Sequence, residues 1–234
     1  GYVRPRRPNG EWIENTNPYH APGFCEGSAW QFTWYVPHDV KGLINLIGER
    51  QFIDRLNAGF ATSEKVSFNA LGDNMGAYPI NHGNETNMQA AYLFSYTSEP
   101  WHAQKWARAI QEKYYGMGPR DAYPGDEDQG QMSSWYILSS IGLFQMDGGC
   151  SKDPVWLLGS PRFDRVEIQL DNTYYSGKKL IIKAENVSKD NCYIQSVRFN
   201  NKHLSNNYIE WSKLKKGGTL HFIMSDRPNP NAFK

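Results

Sequence analysis

The chain has 234 residues and a formal net charge of +1, so its charge points neither to nucleic acid nor to an anionic membrane. It holds no run of about 18 apolar residues that could span a bilayer, and its start, Gly-Tyr-Val-Arg-Pro-Arg-Arg-Pro, lacks the apolar core of a signal peptide and reads as cut from a longer chain. Eight Trp, fourteen Tyr and eleven Phe suit either a bulky core or a surface that stacks on sugar rings, while Cys25, Cys150 and Cys192 follow no zinc or disulfide-framework spacing.

Residues 1–24, rich in Pro, Gly, Asn and Arg, read as an extended loop with turns. The aromatic run from Cys25 to Val36 predicts a helix with Trp30, Trp34 and Tyr35 on one face, ended by Pro37. His38-Asp39 leads a second helix, in which Val40, Leu43, Ile44 and Ile47 follow the i, i+3, i+4, i+7 period and Gly48 closes the run. A third spans Glu49 to Phe60, with Phe52, Ile53, Leu56 and Phe60 on one side. Residues 61–85 show no period and predict a long loop, a kind of segment that tends to be functional. Helical pattern returns over Thr86–Tyr96 and Pro100–Tyr115; in the latter, Ala103, Trp106, Ala107 and Ile110 form the apolar face and Trp101, Lys105 and Arg108 the other. A loop over 116–125 leads to Asp126-Glu127-Asp128 and an amphipathic run, Met132–Leu143. Past Gly142 the pattern changes to short β-prone runs, 166–170, 180–184, 193–197 and 220–224, separated by turns such as Asn200-Asn201 and Gly217-Gly218. The fold class expected is α+β: antiparallel helix pairs over residues 1–145, then a sandwich-like antiparallel β region over residues 146–234.

Three adjacent carboxylates repel one another and need compensation. A bound metal, a catalytic base or a helix N-terminus would each supply it, and the cluster taken alone reads equally well as acidic residues that complement a helix dipole. Inverting glycoside hydrolysis needs a second carboxyl group about 6.5–9.5 Å away, across a water. Glu26, in Cys25-Glu26-Gly27, is the other candidate at a helix mouth, and helices packed with those ends together would bring it to Asp126 and Asp128. A third polar cluster, His82-Gly83-Asn84-Glu85-Thr86-Asn87, offers oxygens that suit calcium, sugar hydroxyls or a helix cap.

Taken together these stretches resemble glycoside hydrolase family 92. Glu26-Gly27-Ser28-Ala29-Trp30-Gln31 is similar to that family's Glu-Gly-Asn-Ala-Trp-Gln signature. His82-Gly83-Asn84-Glu85 resembles its Gly-Asn-Glu segment. Asp126-Glu127-Asp128-Gln129-Gly130-Gln131-Met132-Ser133-Ser134-Trp135-Tyr136 resembles its acidic stretch, and Leu158-Gly159-Ser160-Pro161 a later one. The order holds from about residue 10 to 230. The resemblance implies calcium-dependent exo-α-mannosidases that release terminal mannose from mannosides and N-glycans with inversion, here of α-1,2 type. It implies an extracytoplasmic location, and an (α/α)6 barrel whose first part, with a preceding β-sandwich domain, lies outside this chain. By position it makes Glu26 the general acid and Asp126 and Asp128 the pair that positions and deprotonates water, Asp128 being the base. His82, Asn84, Glu85 and Trp30 become substrate contacts, with Asn84 and Glu85 also candidate ligands of Ca2+. Glu127 falls where the motif is free. Ser28 stands where Asn is usual, and Thr86-Asn87-Met88-Gln89 replaces the common Pro-Ser-His-His. Two rival readings stand beside this one. A non-catalytic carbohydrate-binding module would use the aromatics alone. A glycosyltransferase would use Asp126-x-Asp128 for a metal–nucleotide and require a βαβ pattern before it.

Overall fold

Asp39 shows how the sequence starts a helix here. In the computed structural model, which describes residues 1–14, 17–19, 23–70, 75–123, 125 and 127–234, its carboxylate accepts the Gly42 N–H at 2.9 Å and caps α2, Val40–Ile47. A Cβ on Gly42 would meet that carboxylate at 2.1 Å, so the cap requires glycine there. Val40, Leu43 and Ile44 are buried as the period predicts. Gly48, at φ +88°, ends α2 and opens α3, Glu49–Ser63, which buries Phe52, Ile53, Leu56 and Phe60.

The chain forms two compact units, Gly1–Leu93 with Ala109–Ser133, and Phe94–Arg108 with Ser134–Lys234. The first holds α1 (Ala29–Thr33), α2, α3 and α4 (Glu85–Met88). The helices α5 (Trp101–Lys113) and α6 (Gln131–Ile141) are each divided between the two. Two helical expectations need correction. α1 is only five residues long, because Glu26 takes a left-handed φ of +52° and the Ser28 cap is extended. Tyr35 falls beyond it and is 47% exposed, while Trp34 is fully buried edge-on against Phe52 at 5.4 Å. The 86–96 helix breaks into α4 and a 3-10 helix, Ala90–Tyr96. Buried amides compete with the helical ladder there. Asn87 donates to the carbonyls of Gln31 and Thr86 at 3.0 and 2.9 Å, and Gln89 donates to that of Thr86 at 3.0 Å.

In the second unit α5 buries Ala103, Trp106 and Ala107 as expected. Arg108 departs from its expected polar face: it is buried, donating to the carbonyls of Pro161 and Ser188 at 2.9 and 2.6 Å. Strands β1 (Leu143–Phe144), β2 (Val155–Leu158) and β7 (Tyr208–Glu210) form a three-stranded antiparallel sheet in the order β1-β2-β7. β3 (Arg165–Gln169), β4 (Lys179–Glu185), β5 (Tyr193–Phe199), β6 (Lys202–His203) and β8 (Gly218–Ser225) form a five-stranded sheet in the order β3-β4-β8-β5-β6. One pair departs from the antiparallel expectation: β4 and β8 run parallel. The intervening residues 186–217, which carry β5 to β7 and α7 (Trp211–Leu214), are long enough for the crossover this requires. One apolar core joins both sheets, Leu143, Leu158 and Ile209 packing with Ile182, Leu220 and Phe222. The mixed helix-and-sheet class thus holds. Among the described residues no helix is long and apolar enough to cross a membrane.

Phe222→Ala should lower the unfolding free energy in denaturant titrations by about 3–5 kcal/mol, as for other buried aromatics. Ile223→Ala, on the opposite face of the same strand, should cost about 1 kcal/mol or less.

Candidate active site

Glu26 is exposed and held outside any helix. Its neighbour Gly27 leaves no room for a side chain: a Cβ would lie 2.7 Å from Gln31 Oε1 and 3.0 Å from the Phe32 ring. The Glu26 carbonyl accepts a hydrogen bond from the buried side-chain amide of Asn84. Through its Oδ1, Asn84 also accepts the Thr86 N–H at 3.5 Å and caps α4. Both ends of that amide are therefore engaged within the protein, and they tie the Glu26 turn to the 82–88 segment.

The same segment meets the acidic turn through two glycines. A Cβ on Gly125 would stand 2.9 Å from Gly83 Cα, 3.0 Å from Gly83 O and 2.6 Å from the Tyr114 hydroxyl. A Cβ on Gly83 would stand 2.6 Å from that hydroxyl too. A side chain at Gly125 would force the two backbones apart, while one at Gly83 would displace the Tyr114 hydroxyl. Beyond Gly125 the chain turns sharply: Asp128, Gln129 and Gly130 all have left-handed φ, +52°, +58° and +96°. Gln131 and Met132 then donate their N–H groups to the carbonyls of Asp128 and Glu127 at 3.2 and 3.3 Å.

Within the acidic stretch, Glu127 has a structural partner. Glu127 Oε1 accepts the Ser133 N–H at 2.9 Å, which makes Glu127 the cap of α6. Hydrogen bonds from Ser133, side chain then backbone, and from the Gly130 N–H hold the Glu127 carboxyl below the usual range. Glu127 thus complements the dipole of α6. Asp128 is half-buried in the turn, and Asp126 lies outside the described residues.

His82 is fully buried, ring against ring with Tyr114 at 4.9 Å and Tyr115 at 5.5 Å. Its Nε2 lies 2.8 Å from the Tyr115 hydroxyl, which lies 3.2 Å from the Met132 carbonyl. A carbonyl can only accept, so the tyrosine gives its proton to Met132, and His82 must donate from Nε2. Burial pushes the His82 pKa down to about 3, so the ring is neutral at ordinary pH. The His82 backbone N–H donates to the carbonyl of Phe68 at 2.8 Å, and Phe68 is itself held at φ +58°. His82 thereby braces the first turn of α6 from behind. Trp30 stacks on Tyr19 at 5.3 Å and meets Tyr2 at 5.3 Å, so its ring is engaged by protein rings. Glu85 opens α4, half-buried.

Two positioning residues escaped sequence reasoning. Gln31 is buried and donates to the carbonyls of Met75 and Tyr78 at 2.6 and 2.7 Å. A glutamine inside an otherwise aromatic run was the available signal. Tyr115 carried none, because one tyrosine among many is indistinguishable until its hydroxyl finds a partner. Among the described residues no group of three or more His, Cys, Asp or Glu could hold a metal. With the Asn84 amide engaged, those residues do not make a calcium shell of about six to eight oxygens.

A model described as the glycosyl hydrolase family 92 catalytic domain matches residues 1–226. The solved structure of a family GH92 α-mannosidase from Bacteroides thetaiotaomicron aligns with a TM-score of 0.83 and 35% identity, over 99% of this chain and 29% of that one. A family GH92 inverting mannosidase from Bacteroides thetaiotaomicron VPI-5482 aligns at 0.83 and 31%, over 100% of this chain and 32% of that one. An uncharacterized secreted glycosidase from Arthroderma benhamiae is 28% identical over 244 residues, covering 96% of this chain and 28% of that protein. The chain thus spans less than a third of the length of these relatives.

Because the folded pKa of His82 is depressed, the unfolded chain binds the extra proton first, and stability falls as pH drops below about 6.5 toward 3. Denaturant titrations at pH 7, 5.5 and 4.5 should show a shallower loss for His82→Gln than for the parent. Equal slopes would mean that His82 is not buried neutral.

Proposed function

The chain belongs to glycosyl hydrolase family 92, and from that premise we propose that the full-length protein releases terminal α-linked mannose from mannosides or N-glycans with inversion of configuration. The observation that carries this reading is the paired backbone strain at Glu26 and Asp128, each at φ +52°. Such conformations cost about 1–3 kcal/mol each and gather at functional sites. Among the non-glycine residues held this way are two carboxylates about 100 residues apart in sequence. Asn84 holds the turn that carries one, and the Gly83–Gly125 contact adjoins the turn that carries the other.

In this reading Glu26 donates its proton to the glycosidic oxygen as the C–O bond to the anomeric carbon breaks. Asp128, with Asp126, takes a proton from a water that attacks the opposite face of that carbon. Bond breaking and attack on opposite faces give the inverted sugar. Asn84 acts by fixing the Glu26 turn, Glu127 by capping α6, and His82 with Tyr115 by bracing the first turn of that helix. The likeness to mannosidases, one of them an inverting enzyme, supports the sugar and the stereochemistry. The α-1,2 preference and the (α/α)6 barrel belong to the same proposal, and so does an extracytoplasmic location, which the secreted relative favours. Calcium dependence is proposed for the full-length enzyme. Bound calcium would polarise sugar hydroxyls. Glu85 would supply one carboxylate, and carbonyl oxygens, water and the sugar's own hydroxyls the rest. The transferase alternative is disfavoured, since before Asp128 the described residues hold helices, turns and one isolated bridge, Arg6 with Trp12, rather than a βαβ unit.

In the full-length protein, Asp128→Asn should lower kcat on a mannobiose by about 10²–10⁴-fold, with the circular dichroism spectrum unchanged. Retained turnover removes Asp128 from the base role. Glu26→Gln should lose more on mannobiose than on an aryl mannoside whose leaving group needs no protonation; equal losses argue against Glu26 as the acid. Proton NMR of the first-formed product should show the β-anomer, and the α-anomer would overturn inversion.

A further inference from the structure

Helix α1 is too short to hold itself. Its five residues make hardly more than one turn, and the last four carbonyls of any helix lack partners along it. Ser28 caps its start without a side-chain hydrogen bond. Two carbonyls at its C-terminal end are taken up from α4 and the residue that follows α4. The Gln31 carbonyl accepts Asn87 Nδ2 at 3.0 Å beside the Trp34 N–H at 3.2 Å, so both its lone pairs are used. The Trp34 carbonyl accepts Gln89 Nε2 at 3.3 Å. Asn87 and Gln89 are buried, and each amide is fixed at a second point. Both donate to the Thr86 carbonyl, and Asn87 Oδ1 accepts the Asn81 N–H at 2.9 Å. At its other end α1 meets the turn that carries Glu26. Gly27 lies against the Gln31 and Phe32 side chains so closely that a Cβ there would stand 2.7 and 3.0 Å from them. A shift of α1 is therefore passed to Gly27 and on to Glu26.

We propose that Asn87 and Gln89 are positioning residues for the general acid: their amides clamp α1 and so set the turn that aims Glu26 at the glycosidic oxygen. The inference rests on the reading of Glu26 as the acid. Glu26 is then held from two sides, by Asn84 at its own carbonyl and by the clamped helix that follows it. Asn87 and Gln89 touch no reacting atom and act through α1. The clamp belongs to the residues of this chain, since they stand where Ser and His are common in the resembling motif. A serine hydroxyl carries one donor, so at position 87 it could not serve the Gln31 and Thr86 carbonyls together. The asparagine amide serves both and keeps its oxygen for the Asn81 N–H.

In the full-length protein, Asn87→Asp keeps the acceptor for the Asn81 N–H but turns a carboxylate oxygen onto the Gln31 and Thr86 carbonyls. It should lower kcat on mannobiose at least about tenfold, with KM within about twofold. On a dinitrophenyl mannoside, whose leaving group needs no proton, the loss should be less than about threefold. Gln89→Met removes one bond to α1 and keeps the bulk. It should lower mannobiose turnover about threefold with the same imbalance between substrates, which keeps the test open if Asn87→Asp does not fold. Hydrogen exchange gives a readout independent of activity: the Phe32, Trp34 and Tyr35 amides, which close the turn of α1, should exchange at least about tenfold faster in Asn87→Asp and measurably faster in Gln89→Met. Unchanged exchange, or equal losses on the two substrates while Glu26→Gln shows the imbalance, overturns the proposal. Equal losses in Glu26→Gln itself bring down the acid assignment, and the catalytic role of the clamp with it.

Discussion

Everything in the helical unit that could bear on chemistry depends on two backbones touching at Gly83 and Gly125. With 2.9 Å between a hypothetical Gly125 side chain and Gly83 Cα, Gly125 accepts no other residue without separating the segments, and a side chain at Gly83 would run into the Tyr114 hydroxyl. The contact sets the 82–88 segment against the acidic turn, and the Tyr114 hydroxyl fills the remaining space beside it. From there Asn84 reaches the Glu26 carbonyl. Three stretches distant in sequence are thus fixed by one steric exclusion and one amide, both independent of any titrating group.

Buried polar groups reinforce that arrangement because each bond is made in a medium where breaking it is costly. His82, neutral and donating through Nε2, passes its constraint to Tyr115 and so to the start of α6. Asn87 and Gln89 hold carbonyls that regular helices would otherwise use for themselves, and the short 3-10 and α segments around residues 85–96 follow from that competition, while Gln31 ties down the carbonyls of Met75 and Tyr78. Repulsion among the acidic residues is eased because Glu127 turns its carboxylate onto the first N–H groups of α6, where the helix dipole welcomes it.

The β unit solves a different problem. Its inward face is apolar from both sheets, and the crossover that places β8 beside β4 puts the chain's last strand at the centre of the larger sheet. Burial fixes the inward residues and leaves the outward ones to other pressures.

Local sequence was sufficient for α2, α3 and α5, where a cap or a strict apolar period decides the outcome, and for the Asn200-Asn201 turn, where two left-handed residues are needed. The motifs around Glu26, His82 and Asp128, and the family they announce, were also legible, because long ordered stretches are specific. Tertiary structure alone decided the rest. It shortened α1 by holding Glu26 left-handed, broke the 86–96 helix through buried amides, buried Arg108, and made β4 and β8 parallel. It also turned Glu127 onto the start of α6 as its cap. Periodicity records which face of an element is apolar; it carries no record of which distant backbone will come close enough to exclude a side chain or capture a carbonyl.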